Sequence, residues 1–111
     1  MKTLFYSFLI ASTLLFSCHS ERKISPKDLI SRIKNTGVSV QKGRAIAAFA
    51  QGSEAQFWIY VNKNKISAYL FESPEIAKIK SESFRKGYSN GYWAFAFVED
   101  ETIKILNKAF E

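Results

Sequence analysis

Phe57-Trp58-Ile59-Tyr60-Val61-Asn62-Lys63-Asn64-Lys65-Ile66-Ser67-Ala68-Tyr69-Leu70-Phe71 is the stretch that decides the fold. Two runs of β-branched and aromatic residues flank a polar turn, and Asn tolerates the positive φ that a tight turn needs. The stretch reads as a β-hairpin. Side chains alternate across a strand. Phe57, Ile59 and Val61 therefore share one side with Ile66, Ala68 and Leu70. Trp58, Tyr60, Tyr69 and Phe71 share the other.

Helix signals lie on both sides of the hairpin. Ser25-Pro26-Lys27-Asp28 supplies a cap, a Pro suited to the first helical position and an acid where the helix dipole favours one. Leu29, Ile30 and Ile33 follow at helical spacing, Ile24 and Leu29 are placed for a hydrophobic staple, and Gly37 ends the helix. Val38 to Gln41 and Ala45 to Ala50 read as an interrupted first strand, with Lys42-Gly43-Arg44 a basic turn between them. Ser73-Pro74-Glu75 repeats the helix-start chemistry, and Ile76, Ala77, Ile79 and Phe84 supply that helix's apolar side. Gly87 to Gly91 reads as a loop. Tyr92 to Val98 is nearly all apolar and reads as a central strand. Asp100 caps a last helix, whose apolar positions are Ile103, Leu106 and Phe110. The order α-β-β-β-α-β-α implies an α+β two-layer sandwich, an antiparallel or mixed sheet with its helices on one face.

The N-terminus has another purpose. Lys2 precedes an uncharged run of 13 residues, Leu4 to Phe16. As a helix that run reaches about 20 Å, short of the ~30 Å hydrocarbon core. A basic start, a short apolar core and small residues at a cut are the layout of a secretory signal. Leu15-Phe16-Ser17-Cys18 resembles the lipobox of bacterial lipoproteins, with Leu at −3, Ser at −1 and Cys at +1; Phe16 at −2 is bulkier than the usual residue. The resemblance implies cleavage before Cys18, lipid on Cys18 and residence in the bacterial cell envelope, with two or three acyl chains as a stable anchor. A signal at 1–17, a lipidated tether at 18–23 and one α+β domain at 24–111 are the expected divisions. His19 follows the Cys where an Asp would direct inner-membrane retention in enteric-type bacteria, which favours the outer membrane over the inner. From about Asp28 onward, the order of elements is also similar to that of small bacterial lipoproteins with no assigned activity.

Of the 111 residues, 16 are basic and 10 acidic, and loss of Lys2 with the signal leaves a net charge of +5. In the cytosol such a balance would suggest nucleic acid. Export excludes that partner and leaves the membrane, an envelope protein or an anionic envelope polymer; a merely solvated basic surface is the plainer alternative. With the single Cys lipidated, no thiol remains for a disulfide or a metal site.

Catalytic constellations are not evident. The single His, His19, lies in the tether, where no rigid partner orients it. Ser-x-x-Lys occurs at Ser20/Lys23, Ser31/Lys34 and Ser83/Lys86, without the companion motifs of penicillin-binding enzymes. Glu72 with Glu75, and Glu99-Asp100-Glu101, fall at helix N-termini, where acids stabilise the dipole. The expectation is no catalysis, no metal and no cofactor. What remains is the hairpin's second face, Trp58, Tyr60, Tyr69 and Phe71. Trp93, Phe95 and Phe97 alternate with Tyr92, Ala94, Ala96 and Val98 in the same way. Exposed aromatic patches often mark binding sites, though the first helix or the segment from Ala45 to Ala50 could equally cover this one. The function expected is a non-catalytic envelope binding module with an aromatic face and a basic rim. The alternative is an inhibitor or immunity-type protein that blocks an envelope enzyme with a loop at Lys42–Arg44 or Arg85–Asn90.

Overall fold

The computed structural model describes residues 22–46 and 52–111. Three helices and five strands follow in the order α1 (Pro26–Lys34), β1 (Val40–Ala45), β2 (Ser53–Val61), β3 (Asn64–Phe71), α2 (Pro74–Ser83), β4 (Tyr88–Asn90), β5 (Trp93–Ala96) and α3 (Asp100–Ala109). The strands form one sheet in the order β1-β2-β3-β5-β4, every neighbouring pair antiparallel. The class and element order are those the sequence implies. The antiparallel option holds, and β4 is an added edge strand inside the expected loop at 87–91.

The hairpin turn is tighter than its polar residues suggest. Val61 pairs with Asn64, so Asn62 and Lys63 alone turn the chain, with Asn62 at φ 54°. One face of the hairpin is the main core. Phe57, Ile59, Val61, Ile66, Ala68 and Leu70 are all buried there, together with Trp93 and Phe95 of β5. Leu29 and Ile33 of α1, and Leu106 and Ala109 of α3, pack onto it. Trp93 meets Phe57 edge-on at 5.8 Å, and its indole N–H donates to the carbonyl of Ile24 at 2.9 Å, which satisfies a buried donor.

The helix starts behave as their residues dictate, with one exception. Ser25 Oγ accepts from the backbone N–H of Asp28, and Ser73 Oγ from that of Ile76, both at 3.2 Å. Gly37, at φ 97°, takes the left-handed position just past α1. Asp100 does not cap α3. Glu99 holds the cap position without a side-chain bond of its own, and Asn64 of the hairpin supplies the acceptor (Discussion).

The helices do not all share one face. Phe71, Ala77 and Ala94 form a second buried cluster, with Tyr69, Ile76 and Phe84 against it. Phe71 and Tyr69 alternate with Leu70 and Ala68, so α2 lies on the side of the sheet opposite α1 and α3. The buried stripe of α2 is Ala77 and Ser81, four residues apart, and Ile79 is exposed. Small residues let the helix lie close to the sheet, while Ile79, about 200° round from Ala77, is turned away from it.

Candidate functional site

With α2 seated over Tyr69 and Phe71, the hairpin's second face is divided in two. Phe71 is fully buried. Tyr69 is half-buried between Phe71, at 6.4 Å between ring centres, and Phe84, at 4.9 Å. These two aromatics belong to a core under α2, which corrects their assignment to a binding surface. Trp58 and Tyr60 lie beyond the helix at the turn end of the hairpin. Trp58 is half-buried and Tyr60 is 38% exposed. Cys18 lies outside the described residues.

A third ring joins them. Simple alternation would send Phe97 inward with Trp93 and Phe95. Instead β5 ends at Ala96, and Phe97 takes φ 63°. That left-handed turn breaks the two-residue period. Val98 drops into the main core in its place. The Phe97 ring emerges on the other face, 43% exposed, nearly parallel to Trp58 (26° between planes) at a centroid distance of 6.4 Å. The backbone around it is held on three sides. Phe97 N–H donates to Arg85 O at 2.8 Å, Val98 N–H donates to Lys86 O at 3.0 Å, and Asn64 Nδ2 donates to Phe97 O at 3.1 Å. Lys86 is itself at φ 49°. Positive φ is rare for bulky side chains and is tolerated only where the surroundings enforce it.

Small residues make room for the rings. Ser67 lies between Trp58 and Ala96 in register, so the strand Phe97 must cross presents no bulky side chain there. Its hydroxyl is buried with no hydrogen-bond partner among the described residues. On the neighbouring edge strand, a Cβ at Gly43 would come within 3.0 Å of Trp58 Cβ and 3.2 Å of Tyr60 Cε2. Gly43 sits in the irregular register between Lys42 and Ala45 of β1. The expected basic turn at Lys42–Arg44 is therefore strand, and the inhibitor reading loses that loop.

Cations surround the rings. Lys65, opposite Tyr60 in register, holds its ammonium 4.6 Å from the Trp58 ring centre and 5.7 Å from that of Tyr60. Arg85 and Lys86 line the same open cleft of about 530 Å³ with Trp58 and Phe97. Lys86 pairs with Glu99 at 3.3 Å; neither Lys65 nor Arg85 has an ion pair among the described residues. A larger cleft of about 760 Å³ lies beside the hairpin turn and α3. Three of its polar side chains already have work in the fold: Asn64 and Thr102 serve the start of α3, and Asn62 Oδ1 accepts from the N–H of Ser39; Lys63, Glu99 and Glu101 complete the polar lining.

The other candidates stay apart. Asp100 and Glu101 stand exposed in the first turn of α3, and Glu75 in that of α2. Ser83 Oγ donates to Lys80 O rather than meeting Lys86. Among the described residues no group of acids, His or Cys is arranged to hold a metal ion, and no helix is long and apolar enough to cross a membrane. The sequence offers Arg85 and Lys86 only within a possible inhibitory loop and Phe97 only within the alternation of the last strand; it does not place these residues or Lys65 on the aromatic face. Lys65 was legible from the hairpin register; Phe97 was not, since its turn depends on contacts to Arg85 and Asn64. No protein-family model matches the chain, and no curated protein or solved structure matches it either.

Proposed function

We propose that this chain is an envelope lipoprotein, anchored through lipid on Cys18, whose domain is a non-catalytic binding module. Its binding surface is the platform of Trp58, Tyr60 and Phe97 with Lys65, Arg85 and Lys86. The outer membrane is the favoured location. The observation that carries this reading is Phe97. A bulky residue bears left-handed backbone strain, and the result is an aromatic ring in solvent beside a second aromatic. Strain of this kind collects where a surface must be held ready for a partner, and apolar patches rimmed by polar groups mark interaction sites. Unpaired cations beside the rings suit an anionic partner, either an envelope protein or an envelope polymer.

The test is capture from detergent-solubilised envelopes, with the full chain as bait. The wild type should retain a component that Trp58→Ala and Phe97→Ser lose, while Lys104→Ala on α3 retains it. Equal capture by all four baits would refute the platform as the binding surface.

A further inference from the structure

We propose that the platform's partner is an anionic polysaccharide, an inference that rests on the binding-module reading above. Three observations narrow the partner to this class.

The first is direction. The chain enters the domain at Lys23 and Ile24, pinned to Glu54 at the start of β2 and to Trp93 in the main core. The platform is on the other face of the sheet, at the far end of β2. Glu54 to Tyr60 is about 20 Å of strand. Cys18 can lie at most about 14 Å from Arg22. On the platform's own face α2, a cylinder about 10 Å across, stands at the end nearer the tether. With the anchor proposed on Cys18, this arrangement favours a partner other than the anchoring bilayer, which the vesicle probe below tests.

The second is shape. The rings lie across β2, β3 and the end of β5 rather than along a free edge, so strand addition is not offered. The cleft is open and gives an amphipathic helix no groove. Nearly parallel aromatic surfaces suit flat partners that present C–H groups to the negative π face. Sugar rings do this.

The third is charge. Lys65 stands within reach of two rings and Arg85 lies by the third, while Lys86 in the same cleft is already paired with Glu99. A partner that covers a ring gains from an anion placed beside Lys65 or Arg85. A uronate unit carries a ring face and a carboxylate together. An acidic peptide would engage the cations but leave the aromatic faces uncovered.

The experiment uses the full chain in a detergent without a sugar headgroup. The probes are polygalacturonate, hyaluronate, neutral cellohexaose, poly-L-glutamate and vesicles of phosphatidylcholine with one quarter phosphatidylglycerol, all followed by calorimetry. At least one of the two uronate polymers should bind, with an affinity that falls as salt rises. Cellohexaose should bind at least tenfold more weakly. Trp58→Ala, Phe97→Ser and the double variant Lys65→Gln/Arg85→Gln should each weaken uronate binding at least tenfold, with unchanged far-UV circular dichroism and a cooperative melt certifying the fold. Lys65 and Arg85 are exposed, so the double variant remains informative if either aromatic variant unfolds. Tighter binding of poly-L-glutamate or vesicles than of both uronate polymers overturns the proposal, as does uronate binding that ignores all three variants. If no uronate polymer binds while Trp58-dependent capture from envelopes persists, the polysaccharide falls and the binding module stands. If that capture is absent too, both fall.

Discussion

Asn64, in the second strand of the hairpin, caps a helix whose N-cap residue lies 35 residues later: its Oδ1 accepts the backbone N–H of Glu99 at 3.0 Å. The same oxygen accepts the Thr102 hydroxyl at 2.7 Å, while Nδ2 donates to Phe97 O. One amide thus ties together the hairpin, the start of α3 and the strained residue beneath the platform. Asn64→Ala should cost about 0.5–2 kcal/mol, as loss of a helix cap does. Asn64→Asp keeps the acceptor but loses the bond to Phe97, so its defect should be the smaller in stability and appear mainly in binding. Denaturant melts of the two variants check the order.

Ile59 and Trp58 are adjacent in sequence and separate in consequence. Ile59→Ala empties a fully buried position and should cost about 2–5 kcal/mol. Phe71→Ala should cost about 3–5 kcal/mol for the same reason, although Phe71 shares the parity of the open face. Trp58→Ala should cost clearly less than either and weaken binding instead. A Trp58→Ala melt as low as that of Ile59→Ala would make Trp58 a core residue.

Phe97→Asn separates strain from stability. The left-handed conformation costs an ordinary side chain about 1–2 kcal/mol, and Asn visits it readily. The variant loses the contact with Trp58 but sheds that strain. It should melt within about 1 kcal/mol of the wild type or above it, yet bind poorly. A large loss of stability would mean that Phe97 is there to hold the fold.

Tyr88 gives the domain a pH dependence at the alkaline end. Burial raises its phenol above the ordinary value of 10.0, and the hydrogen bond donated by Asn90 offsets part of that rise. The hydroxyl donates to Asn107 of α3, which only the neutral form can do. The unfolded chain releases this proton first. The stabilisation is therefore fully present below pH 10 and is lost as pH climbs through the raised folded value. Tyr88→Phe should be less stable at neutral pH and show a shallower decline above pH 10, in melts taken from pH 7 to 11.

Lipid attachment has its own test. Cys18→Ala should abolish labelling by a palmitate analogue and release the protein from membranes. Persistence in the membrane fraction after a carbonate wash would refute the anchor.

The hairpin, both Ser-Pro helix starts and the choice of core face were legible because they rest on local chemistry and a period of two. The parity of Phe57, Ile59 and Val61 sufficed to assign them to the core. The position of α2 was not legible. Tyr69 and Phe71 have the pattern of an exposed face, and only the fold shows that Ala77 and Ser81 let a helix lie on them. Ile79 misled for a related reason: apolar residues on a short helix do not say which side is down. The capping of α3 was hidden by distance, since Asn64 lies 35 residues from Glu99. Half of the expected surface, Trp58 and Tyr60, lies on the platform. The other half was replaced by Phe97 and its cations, because one positive φ reverses an alternation that sequence alone extends unbroken.

Gly43 lies beside the rings on the neighbouring edge strand; its φ lies outside the left-handed range, so close approach rather than conformation favours a glycine there. A methyl group there would press on the Cβ and backbone carbonyl of Trp58 and on the edge of Tyr60 while changing the identity of none of the platform's side chains. The tilt of the platform is thus adjustable by a residue that offers the partner no side chain of its own. A change of partner would not have to begin at the contact residues; it can begin beside them, on an edge strand that tolerates an irregular register.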